Sequence, residues 1–297
     1  MKKPDFSPSH LNCGGKMLNL SKPSVMGVVN LTPDSFSDGG QLHSDHQLNK
    51  SKILSTVEKM LNDGADIIDL GGESTRPGAV PVSVEQELER VIPILEALSA
   101  NFDTIFSVDT STAEVMRAAA TAGAHLINDV RALQREGALQ TAVDCGLPVC
   151  LMHMQKQPQS MQNNPRYQDV VGEVIEFLEQ RKQQCIAAGI RAEQILLDPG
   201  FGFGKTLDHN LALFNGLDRL AEQKHPILVG LSRKSMIGQL LDAGINDRLI
   251  GSVTMAVLAV QKIHRAGGSV ILRVHDVKQT RQALTIWQSV DQSKDGR

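Results

Sequence analysis

At 297 residues, with a net charge of −3, the chain is long enough for one large core and too evenly charged for a broad nucleic-acid surface. Its four cysteines, Cys13, Cys145, Cys150 and Cys185, have neither the paired spacing of a zinc site nor the density of a disulfide framework, which fits a reducing cytoplasm. No apolar leader follows Lys2 and Lys3 and no run reaches membrane-span length, so a soluble, unexported protein without membrane partners is expected.

Residues 1–22 read as an N-terminal extension, partly disordered or covering one end of the core. Met1 to Lys16 has the look of a poorly ordered stretch, and Met17 to Leu20 that of a short strand. From there, short apolar runs enter polar or glycine-rich loops eight times: Val25 to Asn30, Ile67 to Asp69, Ile105 to Asp109, Ala124 to Asn128, Pro148 to Met152, Ile195 to Asp198, Ile227 to Gly230 and Val270 to Arg273. Helical spacing alternates with them. It covers Lys50 to Asn62, Glu85 to Leu98, Ala113 to Ala122, Gly137 to Asp144 and Val170 to Ala188, then Leu207 to Leu220, Ser235 to Asp242, Arg248 to Arg265 and Val277 to about Val290. Gly64 is a natural helix stop, and Gly123, Gly146 and Gly189 are natural C-terminal caps. Eight strands alternating with helices predict an α/β fold, a single (β/α)8 TIM barrel over residues 23–290, with an open doubly wound sheet as the alternative. A polar tail, 291–297, follows.

In such a barrel the ligand site lies at the C-terminal ends of the strands, and that edge carries Asn30, Asp109, Asn128, Asp198 and Arg273. Three loops at the edge are long: 31–49, 71–84 and 153–168. The first two contain Thr32-Pro-Asp-Ser-Phe-Ser-Asp-Gly-Gly40 and Gly71-Gly-Glu-Ser-Thr-Arg-Pro-Gly78 and read as mobile lids. After Asp198, Gly200, Gly202 and Gly204 alternate with Phe201 and Phe203, a pattern that lets the backbone approach a bound molecule between flat apolar faces. Ordinary Asp-Pro-Gly turn chemistry is the plainer reading of the same residues.

Asp109 and Asp198 are acceptors when ionised, Asn128 both donates and accepts, and Lys234 donates, a set that fits a flat nitrogen heterocycle. An amino group beside a ring N–H gives two parallel hydrogen bonds to one carboxylate. Helix caps or an interior ion pair would explain any one of these residues and explain the four together poorly. Arg273 and His275 fall on one side of the last strand and read as an anion clamp, which Arg76 can join. Asn30 with the hydroxyls of Thr32 and Ser35 supplies hard oxygen suited to magnesium (Mg2+). His153 has no partner at metal spacing and is assigned to packing or a hydrogen bond. Nucleophile elbow, P-loop and dinucleotide fingerprint are all missing.

The two lid motifs, together with Asp198-Pro-Gly-Phe-Gly-Phe-Gly-Lys205, Ser232-Arg-Lys-Ser235 and Arg273-Val-His-Asp276, resemble in order the signature segments of the dihydropteroate synthase family. The resemblance spans about Pro23 to Trp287 and implies a barrel enzyme of folate synthesis. Such an enzyme joins 6-hydroxymethyl-7,8-dihydropterin diphosphate to 4-aminobenzoate with loss of diphosphate, and is a homodimer and a sulfonamide target. The implied pterin residues are Asp109, Asn128, Asp198 and Lys234, with Asn30 the Mg2+ ligand. Arg273 and His275 meet the diphosphate, and Thr75 and Arg76 help hold the substrates. Phe36, Pro77, Phe203 and Ser235 surround the aminobenzoate, and Asp38 adds negative field near the reacting carbon. Two alternatives share the barrel: a pterin-dependent methyltransferase, which has no need of the lid loops and anion clamp, and a non-catalytic pterin-binding paralogue.

Overall fold

In the computed structural model, residues 8–32, 43–44, 47–75, 78–79, 81–156 and 160–292 are described. A hairpin opens them: β1 (His10–Cys13) and β2 (Lys16–Asn19) pair across Gly14 and Gly15, whose φ values of 58° and 96° only glycine adopts without a Cβ penalty. There follow β3 (Ser24–Asn30), the short mutual pair β4 (His43–Ser44) and β5 (Gln47–Leu48), α1 (Lys50–Asn62), β6 (Ile67–Gly71) and α2 (Val84–Asn101). Next come β7 (Ile105–Asp109), α3 (Ala113–Ala122), β8 (Leu126–Asp129), α4 (Ala138–Cys145), β9 (Val149–Met152), α5 (Val170–Ala188) and β10 (Ile195–Asp198). The rest is α6 (Leu207–Asn215), α7 (Leu217–Ala221), β11 (Ile227–Val229), α8 (Ser235–Leu241), α9 (Leu249–Arg265), β12 (Val270–Val274) and α10 (Val277–Gln292). Strands β3 and β6 to β12 run parallel and close on themselves, β12 pairing with β3, so the barrel is the architecture and the open sheet is not.

Side-chain alternation divides the barrel into layers. Met26, Ile67, Ile105, Leu126, Cys150, Leu196, Leu228 and Ile271, one from each barrel strand, pack inward near the N-terminal ends and meet Leu11, Cys13, Leu18 and Leu20 of the hairpin. The hairpin is therefore a plug. Each of its three buried leucines contributes about 2 kcal/mol by leaving water. Outward-facing neighbours such as Val25, Ile68, Phe106, Ile127, Leu151 and Leu197 join a second cluster with the helices. Two residues beyond the lower inward layer, Asp69, Ser107, Asn128, Asp198 and Arg273 turn the interior polar. The barrel is thus sealed and greasy at one end and charged at the other.

Two local expectations are corrected. Of the stretch through Lys16, expected to be poorly ordered, the described part carries β1 and the start of β2, because Leu11 and Cys13 alternate inward and have a barrel end to cover. The helix expected over Leu207 to Leu220 breaks at Gly216, where a Cβ would lie 2.5 Å from Val171 Cγ1 of α5, so the two halves pack as α6 and α7. Elsewhere, Gly123, Gly146 and Gly189 end their helices in the left-handed conformation.

Candidate active site

Register explains how the polar layer comes together. Arg273 on β12 lies beside Met26 of β3, which lies beside Ile67 of β6, and Asp69 is two residues further along on the same face as Ile67. The long arginine side chain therefore reaches across β3, donating from Nε to Asp69 Oδ2 at 2.7 Å and from NH2 to Asp109 Oδ2 at 3.0 Å. Asn128 Nδ2 closes toward the same Asp69 oxygen at 3.4 Å. Two carboxyl groups therefore share one guanidinium below the mouth. Burial pushes the Asp109 carboxyl up to about 8; Arg273 pulls it back down, and Asp69 adds to the rise. Asp69 Oδ1 and Ser107 Oγ are buried without a protein partner among the described residues.

Asp69 is a site residue that sequence reasoning missed. It entered there only as the last residue of a strand, although an acid inside an otherwise apolar run is itself a signal, because buried carboxylates need a partner. Arg273, expected to act as an anion clamp, sits between Asp69 and Asp109 in this structure, tying the anion edge to the heterocycle floor.

On the opposite wall Asp198 Oδ1 accepts from the Gly200 N–H at 2.7 Å, leaving Oδ2 without a protein partner among the described residues. Burial raises this carboxyl's pKa, while Lys234 and the Gly200 N–H lower it. Lys234 donates to the Phe201 carbonyl and lies 4.6 Å from the centre of the Phe203 ring, and burial takes its pKa down to about 8 against the pull of Asp198. The glycines here serve the chain more than a ligand. A Cβ on Gly200 would stand 1.8 Å from the His153 carbonyl oxygen, and one on Gly204 2.9 Å from the Gln155 carbonyl oxygen. Phe201 is likewise fully buried, against Phe214 at 6.2 Å, so of the two phenylalanines only Phe203 remains beside the mouth.

Lys205, buried behind this loop, donates to the carbonyls of Gly200 and Phe203 at 2.9 and 3.1 Å and contacts His153 Nδ1 at 2.9 Å. Burial beside that ammonium drives His153 down to about 2, so the histidine is a neutral acceptor, in keeping with its expected hydrogen-bonding role. A second buried network supports the base of the second loop: Glu73 is gripped by Arg131 at 2.8 and 3.2 Å, and Arg131 also donates to Ser111 at 3.0 Å. Neither residue carried a role in the sequence reading, since the pairing joins residues 58 positions apart.

At the rim, half-buried Asn30 ends β3 in register with Gly71, half-buried Thr75 follows on the second loop, and exposed Ser235 begins α8. His275 stands just past β12 on Ser232, its N–H 3.2 Å and its Nδ1 3.0 Å from the serine Oγ. Phe36, Asp38, Arg76 and Pro77 lie outside the described residues. The structure thus brings together Asp109, Asn128, Asp198, Lys234 and Arg273, adds Asp69, and lines the rim with Asn30, Thr75, Phe203, Ser235 and His275.

The family model for pterin binding enzymes matches residues 26–275. A dihydropteroate synthase of Haemophilus influenzae is 52% identical over 279 residues, covering 94% of this chain and 98% of the relative. That of Escherichia coli is 52% identical over 286 residues, covering 95% and 97%. Among solved structures, Yersinia pestis dihydropteroate synthase in a sulfonamide drug complex superposes with a TM-score of 0.89 at 50% identity, covering 96% of this chain and 99% of that one. Xanthomonas albilineans dihydropteroate synthase in complex with 7,8-dihydropteroate superposes with a TM-score of 0.82 at 44% identity, covering 95% and 98%. With the barrel closed, the polar layer assembled and these likenesses running nearly end to end, the chain belongs to the dihydropteroate synthase family of pterin binding enzymes.

Proposed function

We infer that this chain condenses 6-hydroxymethyl-7,8-dihydropterin diphosphate with 4-aminobenzoate, giving 7,8-dihydropteroate and diphosphate. The observation that carries the reading is the charged well itself: Asp109 on β7 and Asp198 on β10 line it, each engaged through one oxygen, by Arg273 and the Gly200 N–H respectively, with Asn128 and Lys234 beside them. A pterin presents an amino group beside a ring N–H to one carboxylate and its remaining polar edge to the amide and the cations.

The same charges suit the chemistry. An arylamine is neutral near pH 7 and attacks without a dedicated strong base, which agrees with the missing nucleophile motif. Breaking the methylene–oxygen bond is harder, since it builds positive charge on the carbon and negative charge on diphosphate. Ionised Asp109 and Asp198 stabilise the first, and Arg273 and His275 the second. Among the described residues no three His, Cys, Asp or Glu side chains cluster to hold a metal, so Asn30 would take Mg2+ only together with diphosphate oxygens and water, as this ion commonly binds. When bound, the ion neutralises charge on the leaving group. Thr75, Phe203 and Ser235, at the rim, would receive the aminobenzoate in this reading. Of the remaining assignments, Phe36, Asp38, Arg76 and Pro77 rest on the family resemblance.

A homodimer belongs to the same reading, supported by exposed Ile250 and Leu258 on α9 and Ile286 and Val290 on α10, two helices that pack on each other. The four cysteines are free thiols, which supports a reducing compartment, the cytoplasm. No helix of the described residues is long and apolar enough to cross a membrane.

The test is product analysis with purified protein, Mg2+ and both substrates. Dihydropteroate and diphosphate should appear in equal amounts. A pterin-dependent methyltransferase or a silent paralogue would make neither.

A further inference from the structure

Two consecutive residues after β11 are tied to two consecutive residues after β12. Ser232 Oγ meets the N–H and Nδ1 of His275, and the Arg233 guanidinium grips Asp276 twice, Nε to Oδ2 at 3.0 Å and NH2 to Oδ1 at 2.6 Å. Arg233 adopts φ 57°, a left-handed conformation that costs a residue with a Cβ about 1 kcal/mol. Its surroundings enforce that conformation: the Arg233 N–H donates to Ser252 Oγ at 2.9 Å, and its carbonyl accepts from Arg248 NH1 at 3.0 Å. The turn therefore has one shape, and Ser232 is held at a fixed place beside His275.

Hydrogen-bond accounting then fixes a proton. Ser232 is buried, and a buried hydroxyl needs an acceptor for its hydrogen. The backbone N–H of His275 already donates to this oxygen, and the acceptor within reach among the described residues is His275 Nδ1. A hydroxyl donating to Nδ1 leaves the ring proton on Nε2. The two tautomers have opposite consequences for an anion: Nε2–H offers a donor to a developing negative oxygen, whereas a bare Nε2 turns a lone pair toward it.

We propose that Ser232 is a positioning residue, setting His275 as an Nε2–H donor toward the diphosphate leaving group, with the Arg233–Asp276 pair keeping the two loops in step. The proposal rests on the reading that His275 meets the diphosphate, so its test has an arm that needs no substrate.

In protein carrying 15N-labelled histidine, held above the titration range of imidazole, the His275 spectrum should show an unprotonated Nδ1 and a protonated Nε2. Ser232→Ala should mix the tautomers, and Ser232→Thr, which keeps the hydroxyl, should restore the pattern. In turnover, Ser232→Ala should lower kcat by about tenfold to a hundredfold, the size of loss that follows removal of the partner orienting a metal-bound histidine. KM for 4-aminobenzoate and the affinity for a pterin lacking diphosphate should stay within about twofold. In a His275→Ala background the serine change should add nothing. Asp276→Asn, which leaves the hydroxyl in place, should give the same signature in weaker form. A protonated Nδ1 in the parent protein, an unchanged tautomer in Ser232→Ala, or multiplying losses in the double variant would overturn the proposal. Full turnover by His275→Ala would overturn the underlying reading instead, and the labelled spectra would still decide the tautomer.

Discussion

Arg273 reaches over β3 to Asp69, Nε to Oδ2 at 2.7 Å, and the same guanidinium touches Asp109 at 3.0 Å. The pair makes the cation common to the floor and the rim. Asp69→Asn keeps the shape and removes the charge, leaving Arg273 to Asp109 alone. Turnover should fall about tenfold as the guanidinium loses its seat, while the acidic limb of the pH profile moves to lower pH, since Asp69 helps to raise Asp109. Rate against pH for the variant and parent checks both; an unmoved limb would mean that the Asp69 charge does not raise Asp109.

Pterin binding should itself depend on pH with a definite sign. Burial lifts Asp109 to about 8, so at pH 7 much of this group carries a proton that it must give up to accept from the ligand's donors. Affinity should therefore weaken as pH falls below 8, by up to about tenfold per unit. Lys234, lowered to about 8, loses its charge on the other side, which bends the profile down again at higher pH. Calorimetry at pH 7 in two buffers of different ionisation enthalpy should register net proton release; net uptake would contradict the assignment.

Gly200 and Gly15 separate two uses of a left-handed glycine. Gly200→Ala drives a methyl to within 1.8 Å of the His153 carbonyl oxygen at φ 68°, and should cost roughly 2–4 kcal/mol and most of the activity. Gly15→Ala in the hairpin turn meets nothing within 4 Å and should cost about 1 kcal/mol of backbone strain, with activity retained. Thermal melts and rates of the two variants should diverge in that order.

Much of this was legible in the sequence because strand ends and helix spans announce themselves there. α1, α3 and α5 begin and end where the apolar spacing and the capping residues put them, and Asp109, Asn128 and Asp198 stood out as polar ends of apolar runs. What stayed hidden depends on register. A barrel strand is buried on both faces, so Ile67-Ile-Asp-Leu-Gly71 does not reveal that Asp69 points inward, and nothing local says that β12 stands beside β3 with Arg273 level with Met26. Phe201 was misjudged for the same reason: it packs on Phe214 beside the tight Gly200 turn, which passes so close to the His153 carbonyl of the preceding strand's loop that only glycine fits.

The central claim is that the polar layer of this barrel is a pterin well whose far wall is Asp198. Asp198→Asn swaps a charged double acceptor for an amide that turns one donor toward the ligand's donors, a mismatch of about 2–4 kcal/mol when polar groups are left unpaired in a buried site. Calorimetric titration of the parent and Asp198→Asn proteins with a pterin lacking diphosphate, with melts to verify that both are folded, measures this directly. The account predicts clear binding by the parent and a loss of roughly thirtyfold to a thousandfold in the variant, the fold-change equivalent of that mismatch. Equal affinity in the two folded proteins would contradict it.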